Sequence, residues 1–168
     1  MNPEFAYPSE EEIVEMSALA EKLFGTDTDP TQAEPTLGNS LRLIEIDKNT
    51  CIYKKVDGKI AGWSVVLPTS LSDKEAFVKG DMTEKVLFEK SIATPSFESL
   101  YLMAVVVLPE FRNQGLATRL MCAQIEYFKD RYGIADYSAL ALSEGGSGVV
   151  AALEKELGIS IAKPAYSK

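Results

Sequence analysis

The chain lacks histidine altogether and has only two cysteines among its 168 residues. Without histidine, Ser-His and Cys-His nucleophilic catalysis and ordinary zinc hydrolase chemistry are excluded, so no metal site is predicted. Cys51 and Cys122 have no CxxC partner, and both are predicted to be core thiols. The hydrophobic content of 46% suffices for one compact core without disulfides. We therefore expect a single domain over residues 1–168.

Long apolar runs are missing as well, since no stretch approaches the ~18 residues that a membrane span requires. Residues 1–12 lack the basic and apolar regions of a secretory signal, so a cytoplasmic location is expected. The formal net charge of −8 disfavours a polyanionic partner. We accordingly expect neither nucleic acid nor a membrane among the partners.

The negative charge is concentrated at the N-terminal end. Residues 1–35 contain nine acidic side chains and one basic side chain, whereas acids and bases balance in the remaining 133 residues. One interpretation is a solvated helix face whose carboxylates favour the start of that helix. The other is a surface that attracts cations.

Capping and turn residues predict the first half of the chain. Ser9 and Glu12 form a capping box for a helix with one apolar stripe, which Gly25 can end. Turn formers in Thr26 to Asn39 predict a mobile surface loop. Three strands are then expected, at Leu41 to Asp47, Thr50 to Val56 and Lys59 to Leu67, with Asp57-Gly58 as a hairpin turn before the third.

Helical patterning follows where a simple meander would need only a tight turn. Between Pro68 and Phe97 we expect an insertion of two helices, Leu71 to Lys79 and Thr83 to Ile92, separated at Gly80-Asp81. An insertion at a sheet end could close over a ligand or form a dimer contact. The C-terminal part is predicted as a strand (Asp136 to Leu142), a glycine-rich loop (Ser143 to Gly148), a helix (Val149 to Leu157) and a last strand (Ile159 to Ala162).

The segment from Leu100 to Leu120 is the most informative. Leu102 to Leu108 is a continuous apolar run typical of a buried strand, and Pro109 ends it. A turn with the small residues Gly115 and Ala117 comes next, where a helix through Leu120 and Phe128 begins. The unpaired N–H groups at such a helix start favour an anion, so this turn predicts a phosphate cradle.

At these residues the chain resembles the GNAT superfamily of acyl-CoA-dependent N-acyltransferases. The family's hallmark is a strand, then Arg/Gln-x-x-Gly-x-Gly/Ala, then a helix; Arg112, Gly115 and Ala117 match it. The resemblance implies an α/β fold of the α+β type, with a mixed, mainly antiparallel sheet flanked by helices and splayed beyond the cradle strand, and acetyl-CoA (CoA) as cofactor. The implied cofactor-binding residues are Val105, Val106, Val107, Arg112, Asn113, Gln114, Gly115, Leu116, Ala117 and Thr118.

The resemblance is less complete for the catalytic groups. Glu154 stands where many family members have a Tyr that protonates the leaving thiolate, and Ser147 stands near the place of a frequent Asn. Ser143 and Tyr166 are therefore the predicted substitutes for the acid. Glu98 is the predicted base, within one residue of the strand glutamate of some members; an exposed strand-end glutamate is the alternative interpretation. The backbone amide of Val107 is predicted to stabilise the oxyanion.

These expectations favour transfer of an acetyl group from acetyl-CoA to an amine of a small molecule or peptide. The localised acidity favours a polycationic acceptor, and the family's central hairpin suggests that Trp63 contacts substrate, although a core position is its other interpretation. An acyl-CoA-binding module without turnover is an alternative, motivated by the missing Tyr and by a shortened C-terminus. A subunit docked through the insertion, or a homodimer, is a further possibility.

Overall fold

The computed structural model describes residues 4–24 and 29–165. In these residues the chain forms six α-helices and five strands. The helices are α1 (Glu10–Phe24), α2 (Leu37–Ile46), α3 (Leu71–Lys79), α4 (Glu84–Ala93), α5 (Leu116–Tyr132) and α6 (Glu144–Leu157), and the strands are β1 (Cys51–Val56), β2 (Lys59–Thr69), β3 (Ser99–Val107), β4 (Tyr137–Ala139) and β5 (Ile161–Ala162).

The strands form one sheet in the order β1-β2-β3-β4-β5. The first three are antiparallel to one another, whereas β4 and β5 join in parallel through the crossover helices α5 and α6. The predicted fold class is confirmed: the sheet is mixed, helices flank it, and a helical insertion, α3 and α4, joins β2 to β3.

Local signals in the sequence explain several boundaries. The N–H of Ser9 donates to Glu12 Oε2 at 2.8 Å, and the N–H of Glu12 donates to Ser9 Oγ at 3.3 Å, which is the predicted capping box. Asp57 and Gly58 take positive φ angles of 51° and 78° and close the β1–β2 hairpin. Between α3 and α4, Gly80 has the left-handed conformation and Thr83 caps α4 through Val86 N–H.

The predicted strand from Leu41 to Asp47 is wrong, because this segment belongs to helix α2. Thr36 caps that helix by accepting a hydrogen bond from Asn39 N–H at 3.2 Å. Leu37, Leu41 and Ile44 recur at helical spacing and pack against one core cluster. A short apolar run is ambiguous between strand and helix, and here the cap decides.

The glycine-rich segment after β4 also differs from the prediction. Residues 144–148 are not a loop but the first turns of α6, because Ser143 Oγ accepts from Gly146 N–H at 3.1 Å. Strand β4 is shorter than predicted at both ends, and strand β5 is shorter than predicted at its start. The expected loop over residues 26–39 ends where α2 begins, and the expected stop at Gly25 lies outside the described residues.

A β-bulge interrupts β3 at Met103. Val65 pairs with Ala104, but the next residue of β2, Val66, pairs with Leu102, so Met103 is the extra residue. The bulge reverses the alternation of side chains along β3. Leu102 and Val105 consequently pack on the α5 side, whereas Tyr101 and Val106 face the side of α1, α2 and α4.

None of the helices within the described residues is both long enough and apolar enough to cross a membrane.

Candidate active site

The predicted cradle lies between the end of β3 and the start of α5. A short 3-10 turn at Pro109–Phe111 leads from the strand, and Asn113 and Gly115 adopt positive φ angles of 61° and 70°. Arg112 Nε donates to the carbonyl oxygen of Val107 at 3.0 Å, which fixes the turn to the strand. Arg119 Nη1 donates to the carbonyl oxygen of Gln114 at 2.6 Å, which fixes it to the helix.

This turn has the features of an anion site. Gly115 is the N-cap of α5 and provides no side-chain cap, so the first N–H groups of a 17-residue helix are presented to the turn. Arg112 and Arg119 add positive charge beside them, although Arg119 also pairs with Glu4 at 3.1 Å. The left-handed φ at Gly115 disfavours any other residue. The residues present therefore fit a phosphate group of CoA.

Beside the cradle the sheet opens. Strand β3 pairs with β4 only at Leu100, Tyr101 and Leu102. Leu108 N–H donates to Ala61 of β2 at 3.0 Å, and successive N–H groups of a strand point to alternate sides. The N–H groups of Val105 and Val107 accordingly point away from β2, toward the opening. The predicted splay is present, and it exposes a strand edge suited to an extended ligand.

A cavity of about 680 Å³ lies on the α1 side of this opening. Met103, Ala104 and Val106 of β3 line it, and Leu140 and Leu142 line it from the chain beyond β4. The other walls come from β1, β2, α1, α2, the connection between the two helices, and α4 of the insertion. The volume is in the range of pockets for small molecules.

Glu84 is a buried carboxylate in the wall of this cavity. It is 8% exposed at the start of α4, and its Oε1 accepts a hydrogen bond from the Tyr101 hydroxyl at 2.6 Å. Its Oε2 accepts from Ala33 N–H at 3.1 Å, which joins the insertion to the connection between α1 and α2. Tyr101 is the middle one of the three β3 residues that pair with β4, and the bulge follows directly after the third. The carboxylate thus lies next to the point where the sheet opens.

Burial raises the pKa of Glu84 above its ordinary value of 4.5. The hydrogen bonds from Tyr101 and Ala33 oppose this shift, and the negative charge of Asp29 adds to it. A carboxylate of raised pKa accepts a proton more readily than an exposed one. The site therefore contains a buried carboxylate that binds a proton more readily than an exposed one.

The structure assembles part of the predicted site. Val105 to Val107 and the turn from Arg112 to Thr118 lie next to each other. Trp63 is 5% exposed, which confirms a core position, and it also lines the cavity; its contact with substrate stays a prediction. Glu98 lies at the other end of β3. Its Oε2 accepts from Leu71 N–H at 3.3 Å and from Ser96 Oγ at 3.2 Å, so it caps α3, and it is not among the described residues lining the cavity.

Of the two predicted acids, Ser143 is not among the described residues that line the cavity. Ser143 caps α6 and follows Leu142, a residue at the cavity mouth. Tyr166 lies outside the described residues. Glu154, in the place of the family Tyr, accepts from Ile161 N–H at 2.9 Å and lies 3.5 Å from Lys163 Nζ, so it supports β5. The catalytic roles of Glu98, Ser143 and Tyr166 stay predictions.

Sequence reasoning missed Glu84. The only local signal is its position directly after the cap Thr83, where an acidic residue is favoured by the helix dipole whether or not it has a chemical role. Its burial depends on Tyr101 and Ala33, which are distant in sequence. No pattern in the insertion itself could have revealed that contact.

Comparisons with known proteins agree on the architecture. A family model described as "Acetyltransferase (GNAT) family" matches residues 19–159. No match was found among curated proteins. Among solved structures, the GphF GNAT-like decarboxylase in complex with isobutyryl-CoA has a TM-score of 0.60 and 15% identity, with 93% of this chain and 72% of that chain covered.

Two further structures show the same fold. The aminoglycoside acetyltransferase AAC(6')-Iy in complex with a bisubstrate analogue, CoA-S-monomethyl-acetylneamine, has a TM-score of 0.59 and 14% identity over 98% of this chain and 95% of its own. The loading GNATL domain of CurA from Lyngbya majuscula has a TM-score of 0.56 and 18% identity over 84% of this chain. The match spans 65% of that domain's length.

Proposed function

The chain belongs to the acetyltransferase (GNAT) family, and we propose that it transfers an acetyl group from acetyl-CoA to a primary amine of a small molecule or peptide. The observation that carries this proposal is the continuity of three features: the anion cradle at Gly115, the open edge of β3, and the cavity beyond it. Together they accommodate a phosphate, an extended arm and an acceptor in sequence along one strand.

Each feature has a defined role in this proposal. The N–H groups at the start of α5 and the guanidinium of Arg112 would hold the pyrophosphate. The N–H groups of Val105 and Val107 point to the opening and would hydrogen-bond the pantetheine arm and the acyl oxygen. Acetyl-CoA supplies an acyl carbon activated as a thioester. The cavity walls would exclude water and orient the amine toward that carbon.

A second candidate function is a CoA-binding module without turnover. Its specific support is the place of Glu154, whose carboxylate binds the N–H of Ile161 and Lys163 instead of offering the hydroxyl usual at this position. A thiolate with a pKa near 8.5 leaves readily without an acid, however, so this absence does not prevent transfer.

The test compares two substitutions at opposite ends of one helix. Gly115→Glu places an anion in the cradle, whereas Gly133→Glu places it at the other end of α5, where the glycine has a similar φ of 74° and an added Cβ meets no atom within 4 Å. We expect calorimetry to show acetyl-CoA binding for wild type and Gly133→Glu, and a loss of more than about tenfold in affinity for Gly115→Glu.

Thiol release with a panel of amines then separates the two functions. Acetyl-CoA binding followed by amine-dependent thiol release supports the transferase. Binding without acetylation of any amine, even in a single turnover, supports the module. Failure of the wild-type protein to bind acetyl-CoA would contradict both, since the cradle would then be only a turn.

A further inference from the structure

We propose that Glu84 binds the ammonium group of the acceptor and accepts its proton, and that this acceptor is a primary amine on an apolar body. The inference deepens the proposed acetyl transfer and rests on it. It names an acceptor class that the overall acidity of the chain does not indicate, and it assigns a base that belongs to the insertion between β2 and β3.

The first argument is the composition of the cavity. Seventeen of the 24 described residues that line it are apolar, including Trp63, Phe88 and Met103. Two of them at its mouth, Val14 and Leu142, are 52% and 47% exposed. Large apolar side chains that remain exposed around a cavity mark a surface for an apolar ligand. The apolar majority of these walls would contact an apolar body better than a highly hydrated polycation.

The second argument is the charge of the cavity. Three carboxylates, Glu21, Glu34 and Glu84, line it, whereas its described lining residues include no Lys or Arg. Glu21 and Glu34 are exposed to water, but Glu84 is buried, and among the described residues its donors are two neutral groups, Tyr101 Oη and Ala33 N–H. A buried carboxylate without a cation is costly, and one ammonium group from a ligand would relieve that cost. The cavity therefore suits a ligand with one positive charge, placed next to the Glu84 carboxylate.

The third argument is position. Tyr101, which holds Glu84, and Met103 and Ala104, which line the cavity, are within four residues of one another on β3, at the bulge where the sheet opens. The amine held by Glu84 would thus face the edge along which the acyl arm is proposed to lie. The raised pKa of Glu84 that burial causes is consistent with the role of a base.

The step can be balanced with these groups. The ammonium gives one proton to the Glu84 carboxylate, which exposes the nitrogen lone pair. The nitrogen then forms the C–N bond to the acyl carbon while the C–S bond breaks. Its second proton neutralises the departing thiolate, and Glu84 returns its proton to water. The net change is one amide, one thiol and one proton released.

The main test substitutes the carboxylate and keeps its shape. Glu84→Gln is compared with Glu89→Gln, which removes an exposed carboxylate from the same helix. With 2-phenylethylamine as acceptor, we expect Glu84→Gln to lower kcat/KM by about 10²- to 10⁴-fold. Glu89→Gln should match wild type. Acetyl-CoA affinity should be unchanged in both variants.

A binding measurement provides a readout that does not depend on turnover. Calorimetric titration of 2-phenylethylamine into the protein at neutral pH, without acetyl-CoA, should show binding to wild type and Glu89→Gln that is at least about tenfold weaker in Glu84→Gln. Equal affinities in the three proteins would overturn the role of Glu84. If Glu84→Gln does not fold, Tyr101→Phe, which removes one donor to Glu84, should alter amine affinity while acetyl-CoA affinity stays constant.

The acceptor class is tested on wild type alone. The value of kcat/KM for 2-phenylethylamine and octylamine should exceed that for spermidine by about tenfold or more. A preference for spermidine would overturn the apolar acceptor and support the prediction drawn from the N-terminal acids, while the proposed acetyl transfer would stand. Absence of acetyl-CoA binding, or of thiol release with every amine, would remove the proposed function itself.

Discussion

Two carboxylates, on opposite sides of the sheet, bind tyrosine hydroxyls, and they differ in almost everything else. Glu84 accepts one hydroxyl and one backbone N–H beside an open cavity. Asp47 accepts two hydroxyls at its Oδ2, from Tyr132 at 2.7 Å and Tyr127 at 3.0 Å. Its Oδ1 accepts the backbone and side-chain N–H groups of Asn49. Glu84 thus accepts two hydrogen bonds, whereas Asp47 accepts four.

The pKa values follow this difference. Burial would raise the pKa of Asp47, but the hydrogen bonds from Tyr132, Asn49 and Tyr127 together lower it below 3.8. At Glu84 burial prevails over the two donors, so the pKa rises. The comparison teaches that the number of donors decides whether a buried carboxylate stays charged as a structural anchor or remains able to exchange a proton.

The surroundings of the two carboxylates differ in packing as well. Near Asp47, Tyr132 stacks on Phe97 at 4.0 Å between ring centroids, and Tyr127 meets Phe128 edge to face at 5.2 Å. Gln124 extends this polar cluster by donating to Asn49 O at 2.7 Å and accepting from Ser64. Ring contacts and paired polar groups fill the surroundings of Asp47, whereas the Glu84 side retains a cavity.

Among the substitutions that test the difference between Asp47 and Glu84, Asp47→Ala is expected to have the largest effect on stability. The substitution leaves two hydroxyls and the Asn49 donors without their acceptor, so the free energy of unfolding should fall by about 2–4 kcal/mol. Urea unfolding measures this change. Acetylation by the remaining folded protein should equal that of wild type, and a loss of activity at constant fold would show that Asp47 is not purely structural.

A pair of tyrosine substitutions sharpens the contrast. Tyr132→Phe keeps its stacking on Phe97 but removes a hydrogen bond to a charged group, which should cost about 1.5 kcal/mol of stability without affecting catalysis. Tyr101→Phe should instead lower kcat/KM by about tenfold, because Glu84 loses the hydroxyl that holds it toward the cavity. Equal losses of stability and equal activities for both variants would contradict the division of roles.

The two carboxylates should also affect the pH dependence of stability with opposite sign. The pKa of Asp47 is lowered by folding, so its stabilisation is present above pH 3.8 and is lost as the pH falls through the folded value. The pKa of Glu84 is raised, so its contribution is fully present below 4.5 and declines as the pH rises toward the folded value. Burial acts on both, and the larger number of donors reverses its effect at Asp47.

Urea titrations at several pH values test these signs. Relative to wild type, Glu84→Gln should gain stability as the pH rises above about 4.5, whereas the deficit of Asp47→Asn should shrink as the pH falls below about 3.8. A parallel pH dependence of the two variants would contradict the assignment.

The smallest effect is expected at a third carboxylate-tyrosine contact, on the surface. Glu12 accepts from the Tyr53 hydroxyl at 2.6 Å and pairs with Lys55, and its pKa is about 2, since these partners outweigh the effect of burial. Lys55→Met should lower the free energy of unfolding only slightly and reduce its dependence on salt. A larger loss would indicate that the pair is shielded from water.

Sequence patterns were sufficient where a feature is local. The capping box at Ser9, the Asp57-Gly58 turn, both helices of the insertion and the turn at Gly115 are determined by residues close in the chain, and all are present. The helix α2 was mistaken for a strand because its apolar run is short. The first turns of α6 were mistaken for a loop because three glycines obscure a good cap at Ser143.

The proposed catalytic centre could not be predicted to the same extent, because it depends on tertiary contacts. The role of Glu84 requires Tyr101 on β3 and Ala33 before α2, from three separate segments of the chain. Glu98 was selected by its distance from a motif along one strand. In the structure it caps α3, because a short helix needs an acceptor at its start.

The bulge at Met103 has a further consequence for how this strand can change. In each half of β3 the side chains alternate between the two faces of the sheet, and the extra residue Met103 shifts this alternation by one position between the halves. Deleting it would exchange the sides of Leu102 and Tyr101, so that Leu102, a neighbour of α5, would face the cavity and Tyr101, the partner of Glu84, would point away from it. A motif aligned across this position without a gap would therefore assign every residue of one half to the wrong side of the sheet.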